Sequence, residues 1–307
     1  MSEPIATGRR RAGTSTTSQR QRYWDLRAAG NFIGGGTGTG LIAAAAVAAA
    51  SGAPYHAALM LGVALIATGL ALVWLEIGKP WRALHVFFHP RTSWMTREGI
   101  VAGAVIPLGV VAAVVSRPAP VVITAGLAVG FLYCQARILR AARGIPAWRR
   151  REIVALILAA GLAEGGGLAL LVEPASGGAL GFALAAGLAR EAAWRVYHAG
   201  LAREAGTGTS LAVFASPVAR RLRALHRAGL ALIAATLIAA TLVTPILVVP
   251  ISLDPAVIVP VLAMVGGALV VASSWGMKIL LITRAAFTRA LSLPVVPIRG
   301  AKKSHAH

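Results

Sequence analysis

The sequence contains a single cysteine, Cys134, among its 307 residues. One thiol cannot form an internal disulfide, and it cannot supply the ligands of an iron–sulfur cluster or of a cysteine-based zinc site. Paired histidines for haem are also lacking, because the seven in the chain fall at the ends of apolar runs, in connecting segments or in the C-terminal tail. We therefore expect the protein to have no haem and no iron–sulfur cluster of its own.

Charged residues are scarce as well, at 13% of the chain against 57% hydrophobic residues, and the mean hydropathy is +0.73. Soluble domains need far more polar surface, so this composition is typical of an integral membrane protein. Acidic residues are fewest, with 10 Asp and Glu against 30 Lys and Arg. The basic residues flank apolar runs and form no separate domain, so we expect contact with anionic membrane lipid or an acidic protein, and no nucleic acid.

The apolar runs predict an all-α fold, a polytopic membrane bundle of eight transmembrane helices. Each run is close to the ~20 residues that cross ~30 Å of hydrocarbon. The predicted spans are 31–50, 57–77, 99–116, 120–139, 153–172, 178–197, 228–248 and 257–282. They form a transmembrane domain over residues 31–285, between a basic N-terminal tail (1–30) and a basic C-terminal tail (286–307).

The distribution of Lys and Arg predicts the topology. With eight spans, 29 of the 30 basic residues lie on one side of the membrane, and only Arg117 lies on the other. The basic segments are 1–30, 78–98, 137–151, 190–227 and 278–303. Because cytoplasmic loops collect Lys and Arg, we expect this side, with both termini, to face the cytoplasm.

The first span opens with closely spaced glycines, including Gly34, Gly36, Gly38 and Gly40. No strand precedes them, which argues against a nucleotide-binding loop. Glycines four apart instead favour close contact between helices in lipid. Tryptophans near the span ends are predicted to form an interfacial belt; they are Trp74, Trp81, Trp94 and Trp148.

Polar groups within the spans are functional candidates, because an ionisable side chain in lipid is costly. Glu76 and Glu98 flank one short loop, so they are expected at the same depth on adjacent helices, where burial would leave them able to exchange protons near neutral pH. Asn31, Tyr133 and Gln135 fall in the same leaflet and could form hydrogen bonds with a ligand.

A second set of polar residues is predicted to form buried ion pairs or a proton relay. Glu164 lies near the middle of its span, and Lys278 lies late in the last span. Arg190, Glu191 and Arg195 occur together at the end of the sixth span, where Glu191 and Arg195, four residues apart on a helix, are expected to pair.

Several segments together resemble one superfamily, the quinone-reactive membrane anchor subunits of molybdopterin oxidoreductases, which includes the polysulfide reductase and DMSO reductase anchors. The similar segments are 24–32, 75–82, 93–98, 133–137 and 144–148, of which 78–80 and 93–98 are the most specific. Within the superfamily, the chain is most similar to the membrane subunit of phenylacetyl-CoA:acceptor oxidoreductase. The resemblance covers the first six spans well and the last two loosely.

The resemblance implies a subunit of the bacterial or archaeal cytoplasmic membrane that binds menaquinone or ubiquinone. Its partners would be an iron–sulfur electron-transfer subunit and a molybdopterin catalytic subunit. DMSO reductase anchors often have a histidine at the position matching Glu76 and a glutamate at the position matching Glu98, both linked to quinol binding. Here the first position is a glutamate. Two alternatives stay open. One is a secondary transporter using Glu164, Arg190 and Lys278; the other is a structural anchor without a quinone site, in which Glu76 and Glu98 would pair with Lys79 and Arg97.

Overall fold

The structure, a computed structural model, describes residues 19–21, 24–74, 87–174, 176–243 and 255–288. These residues are almost entirely helical, which confirms the predicted all-α class. The helices are α1 (Leu26–Ala50), α2 (His56–Trp74), α3 (Trp94–Val115), α4 (Pro118–Ala141), α5 (Pro146–Arg149), α6 (Glu152–Val172), α7 (Gly177–Ala202), α8 (Gly208–Phe214), α9 (Pro217–Ile238) and α10 (Pro255–Ile279). Short π-helical segments, Ala239–Val243 and Leu280–Arg284, continue α9 and α10.

Seven helices in the described part of the chain are long and apolar enough to cross a membrane. They are α1, α2, α3, α4, α6, α9 and α10, the last two taken with their π-helical extensions. The remaining predicted span, 178–197, is also helical, since it lies within the 26 residues of α7. Helix α7 is not among the seven, and its C-terminal half contains Arg190, Glu191 and Arg195, so crossing by α7 stays a prediction.

Several helices extend beyond the predicted spans because local capping residues fix their ends. The side chain of Asp25 accepts a hydrogen bond from the backbone of Arg27, so α1 begins at Leu26 and not at 31. Ser216 caps α9, whose first residue is Pro217, so α9 begins eleven residues before the predicted 228. The basic segment 190–227, predicted to be largely a loop, is therefore mostly helical. The ends of the predicted spans 57–77 and 228–248 lie partly outside the described residues.

Helix α1 is the centre of the bundle, and its glycines allow neighbouring backbones to approach closely. A Cβ atom added at Gly38 would lie 2.5 Å from the carbonyl oxygen of Gly62 on α2. On the opposite side, a Cβ atom at Gly40 would lie 2.2 Å from the carbonyl oxygen of Gly161 on α6. These contacts confirm the predicted role of the glycine run in helix packing.

Aromatic side chains fill the bundle at the end where the first and last described residues meet. The strands β1 (Gln19–Arg20) and β2 (Phe287–Thr288) pair antiparallel there and join the two ends of the described chain. Trp148 is fully buried and donates from Nε1 to the carbonyl oxygen of Leu281 at 3.1 Å. Trp148 is therefore packed inside the protein and does not face lipid as a residue of the predicted belt would, whereas Trp74 is 58% exposed. Trp81 lies outside the described residues.

Candidate functional site

Three of the five residues predicted for quinone binding and proton transfer meet between α1, α3 and α4. Asn31, Glu98 and Gln135 are 6%, 5% and 0% exposed. Gln135 Nε2 donates to the backbone oxygen of Asn31 at 3.3 Å and lies 3.5 Å from its side-chain oxygen. Both amide side chains lie at the Glu98 carboxyl group. These three residues are called the amide–carboxyl cluster below.

The glycine run makes room for this cluster. A Cβ atom at Gly35 would lie 2.4 Å from Gln135 Nε2, so any larger residue at position 35 would displace the Gln135 amide. Two oxygens of the cluster, Glu98 Oε1 and Gln135 Oε1, are buried without a hydrogen-bond partner among the described residues. Buried polar atoms are normally paired, so an oxygen pair of this kind suits a ligand that donates hydrogen bonds.

Glu98 is not held by the arginine next to it in sequence. Arg97 donates instead to the carbonyl oxygens of Pro90 and Arg91, each at 2.8 Å, and its guanidinium lies 4.2 Å from the ring centroid of Trp94. Within the part of the chain that the structure describes, no ion pair involves Glu98. The pairing with Arg97 that a structural anchor would require is therefore missing.

Tyr133 lies apart from the amide–carboxyl cluster. It is 37% exposed, its ring meets Trp94 edge-on at 5.8 Å, and its hydroxyl accepts a hydrogen bond of 2.6 Å from Arg137. Residues 133 and 135 are two apart on a helix and so point in nearly opposite directions. Glu76, the other predicted member of the site, lies outside the described residues.

The second predicted set is assembled around a buried ion pair in the interior. Lys278 Nζ lies 2.7 Å from Glu164 Oε2, with side chains 3% and 0% exposed, and also donates to the carbonyl oxygen of Phe32. The hydroxyl of Thr37 donates to the same Glu164 oxygen at 3.0 Å. Trp275 Nε1 in turn donates to that hydroxyl at 2.9 Å. Glu164 is therefore in a buried ion pair, one of the two roles predicted for it, but its partner is Lys278 and not an arginine as expected.

Arg190 adds a second positive charge beside this pair. It is 4% exposed and interacts electrostatically with Glu164, Lys278 and Glu191. Its Nε atom has no hydrogen-bond partner among the described residues, and neither does Glu164 Oε1. Lys278 thus binds the Glu164 carboxylate directly, and Arg190 adds a second positive charge nearby, with no ion pair to Glu164 among the described residues.

Glu191 connects this interior region with the bundle surface. Its Oε1 atom accepts from Arg195 at 3.1 Å, which confirms the predicted pair four residues apart on α7. It also accepts from Arg227 of α9 at 2.8 Å. Sequence reasoning missed Arg227, which falls in a segment interpreted as a loop, and Thr37, which lies within the glycine run; no motif marks either one.

The structure contains no preformed metal site in its described part, where no group of three or more His, Cys, Asp or Glu side chains is placed to hold an ion. Comparison with known proteins adds no assignment: no protein-family model matches the chain, and no curated protein matches it.

Proposed function

We propose that the chain is the quinone-binding membrane anchor subunit of a molybdenum and iron–sulfur oxidoreductase complex. The observation that supports this most is the amide–carboxyl cluster of Asn31, Glu98 and Gln135, which combines buried hydrogen-bonding groups with a carboxyl group inside an apolar bundle. A quinone requires an apolar site with a few polar groups at its carbonyl oxygens and a route for protons.

The cluster residues fit both forms of such a ligand. The unpartnered oxygens of Glu98 and Gln135 can accept hydrogen bonds from the hydroxyls of a quinol. The amide of Gln135, the amide of Asn31 and a protonated Glu98 can donate to the carbonyl oxygens of a quinone. A bound menaquinone or ubiquinone would supply the two-electron, two-proton redox chemistry. Glu98 would hold and release a proton at its carboxyl group, and the two amides would orient the ring.

The electrons would pass to or from an iron–sulfur subunit, itself linked to a molybdopterin catalytic subunit. The resemblance of segments 78–80 and 93–98 to the molybdopterin oxidoreductase anchors supports this assembly. The basic segments other than 137–151 would form the docking surface, since charge complementarity sets the orientation and rate of association. Positive-inside bias favours the cytoplasmic side of a bacterial or archaeal cytoplasmic membrane for that surface.

The proposal is tested with the complex purified from its native membrane. Metal analysis should find molybdenum and iron in partner subunits, and extraction should release quinone. Glu98→Gln should assemble normally and lower quinone-linked turnover about 10²-fold or more, the usual range for loss of a general acid or base. Glu173→Gln should leave turnover unchanged. Glu173 lies between the end of α6 and the start of α7, on the opposite side of the bundle from Glu98.

Full turnover in an assembled Glu98→Gln variant would overturn the assignment of the site. A purified complex without an iron–sulfur partner would overturn the assignment of the subunit.

A secondary transporter is the second candidate, because Glu164, Arg190 and Lys278 share one buried region. It ranks lower, since Lys278 and Thr37 already hold one oxygen of Glu164. In that case Glu164→Gln would abolish ion-coupled solute uptake into proteoliposomes, and Glu98→Gln would leave it intact.

A further inference from the structure

A cavity of about 650 Å³ opens at the end of the bundle where α3 and α6 begin and α4 ends. Its wall contains Trp94, six arginines between residues 137 and 151, and two glutamates, Glu152 and Glu204. It will be called the arginine cavity. None of these arginines or glutamates belongs to the amide–carboxyl cluster or to the Glu164 ion pair.

The two carboxylates in the wall are already bound by two of the six arginines. Arg149 donates to Glu204, and Arg150 contacts Glu204 at 3.0 Å and Glu152 at 2.7 Å. The hydrogen bond from Arg149 holds the pKa of Glu204 below its usual value, so this carboxyl group is ionised at neutral pH. Six guanidinium groups against two carboxylates leave four positive charges uncompensated around one cavity.

The remaining arginines are arranged toward the cavity and have few partners. Arg137 lies 4.2 Å from the ring centroid of Trp94 and donates to Tyr133. Arg140, one helical turn further along α4, and Arg143, just after its end, make no ion pair among the described residues. Their guanidinium groups are therefore available to a ligand.

We propose that the arginine cavity binds the phosphate of an anionic phospholipid headgroup. Guanidinium groups bind phosphate oxygens through paired, charge-assisted hydrogen bonds, and a cluster of them matches a phosphodiester well. The cavity lies at the ends of membrane-spanning helices, the depth at which lipid headgroups lie, and basic clusters there attract anionic lipid. A protein partner reaches such a concave space only through a projecting acidic segment, so lipid is the favoured occupant.

The test uses the full-length protein in nanodiscs of phosphatidylcholine with a rising fraction of phosphatidylglycerol, with bound lipid identified by native mass spectrometry. The wild-type protein should retain phosphatidylglycerol at least tenfold over phosphatidylcholine. The double variant Arg140→Gln/Arg143→Gln should bind it at least about 30-fold more weakly, since it removes charge-assisted hydrogen bonds to the phosphate that arginines outside the cavity do not make.

The matched control is Arg20→Gln/Arg221→Gln, which removes the same charge from two exposed arginines outside the cavity wall and should keep the preference. A second variant, Arg140→Lys/Arg143→Lys, keeps the charge and removes the paired donors. It should give an intermediate loss and provides the test if the glutamine variant fails to fold.

Four results would overturn the proposal. The first is no preference for phosphatidylglycerol, and the second is an equal loss of lipid binding in the control variant. The third is full competition by inorganic phosphate at the same concentration as the lipid. The fourth is that Arg140→Gln/Arg143→Gln keeps its lipid binding but loses an acidic protein partner. Competition by phosphate would indicate a site for the free anion. None of these measurements depends on quinone-linked turnover, so failure here leaves the proposed function untouched.

Discussion

Lys278 and Glu164 form an ion pair in which both side chains are buried, so loss of either residue is expected to destabilise the fold. Removing one partner of such a pair leaves an uncompensated charge, whereas removing both can be nearly neutral. Arg190 makes the two single losses unequal. It lies near Glu164, so it compensates the carboxylate when Lys278 is removed, but it repels Lys278 when Glu164 is removed.

We therefore expect Glu164→Gln to lower the free energy of unfolding by about 3–5 kcal/mol, the range for a broken buried pair. Lys278→Met should cost less, and the double variant should recover most of the loss, since Arg190 still has Glu191 beside it. Denaturant unfolding of the three variants in detergent measures this. Additive single losses, or a larger loss in Lys278→Met, would contradict the argument.

At the level of single residues, the sequence predicted which polar residues are candidates for the site better than it predicted where their side chains point. The polarity of Asn31, Glu98 and Gln135 in an apolar context marked them as candidates in one leaflet, and the structure brings the three side chains together. Tyr133 was grouped with them by its place in sequence, although the helical rotation between 133 and 135 points the two side chains apart. Arg227 escaped notice because its partner, Glu191, lies on another helix, and a single sequence gives no sign of that distant contact.

At the level of helices, the spacing of glycines determines which helices touch. Gly165 of α6 is the tightest example, because a Cβ atom there would lie 2.0 Å from the carbonyl carbon of Gly40 and 2.1 Å from the backbone nitrogen of Leu41. Backbone atoms cannot move aside as a flexible side chain can. Relief of such a clash requires α1 and α6 to separate along their contact.

Gly165→Ala should lower the free energy of unfolding by about 1–3 kcal/mol or more, the usual penalty for overpacking. Gly126→Ala on α4 is the matched control, since a Cβ atom there has no neighbour within 4 Å. The control should be neutral or more stable by about 0.5–1 kcal/mol, because alanine favours a helix. Unfolding of both variants in one detergent gives the comparison. Equal effects at the two positions would show that the α1–α6 contact is not tight.

The seven long apolar helices were largely predictable because lipid requires long apolar runs. Their ends were not, since capping by Asp25 and Ser216 and the charged start of α9 extend helices into polar segments. Hydropathy detects only the part of a helix that faces lipid or a packed core. Most of the basic segment 190–227 was accordingly interpreted as a loop, although three helices share the segment.

For the molecule as a whole, the crossing by α7 decides whether the basic segments share one side. Its 26 residues span ~39 Å at 1.5 Å per residue, enough for the hydrocarbon core. Its charged half is compensated within the protein: Arg190 lies beside Glu164, and Glu191 is bound by Arg195 and Arg227. Internal pairing of this kind allows a polar helix to cross where hydropathy alone argues against it.

Cysteine labelling tests this crossing directly. In a Cys134→Ser background, single cysteines replace Glu173, before α7, and Arg203, after it. A membrane-impermeant maleimide applied to intact cells should label Glu173→Cys, as it should the control Ser51→Cys between α1 and α2, and should label Arg203→Cys only after permeabilisation. Labelling of Glu173→Cys and Arg203→Cys from the same side would mean that α7 does not cross. Labelling of Arg203→Cys alone from outside would place the basic side outside the cell. The arginine cavity would then also face outward, because the ends of α3, α4 and α6 that line the cavity lie on the same side as the end of α7.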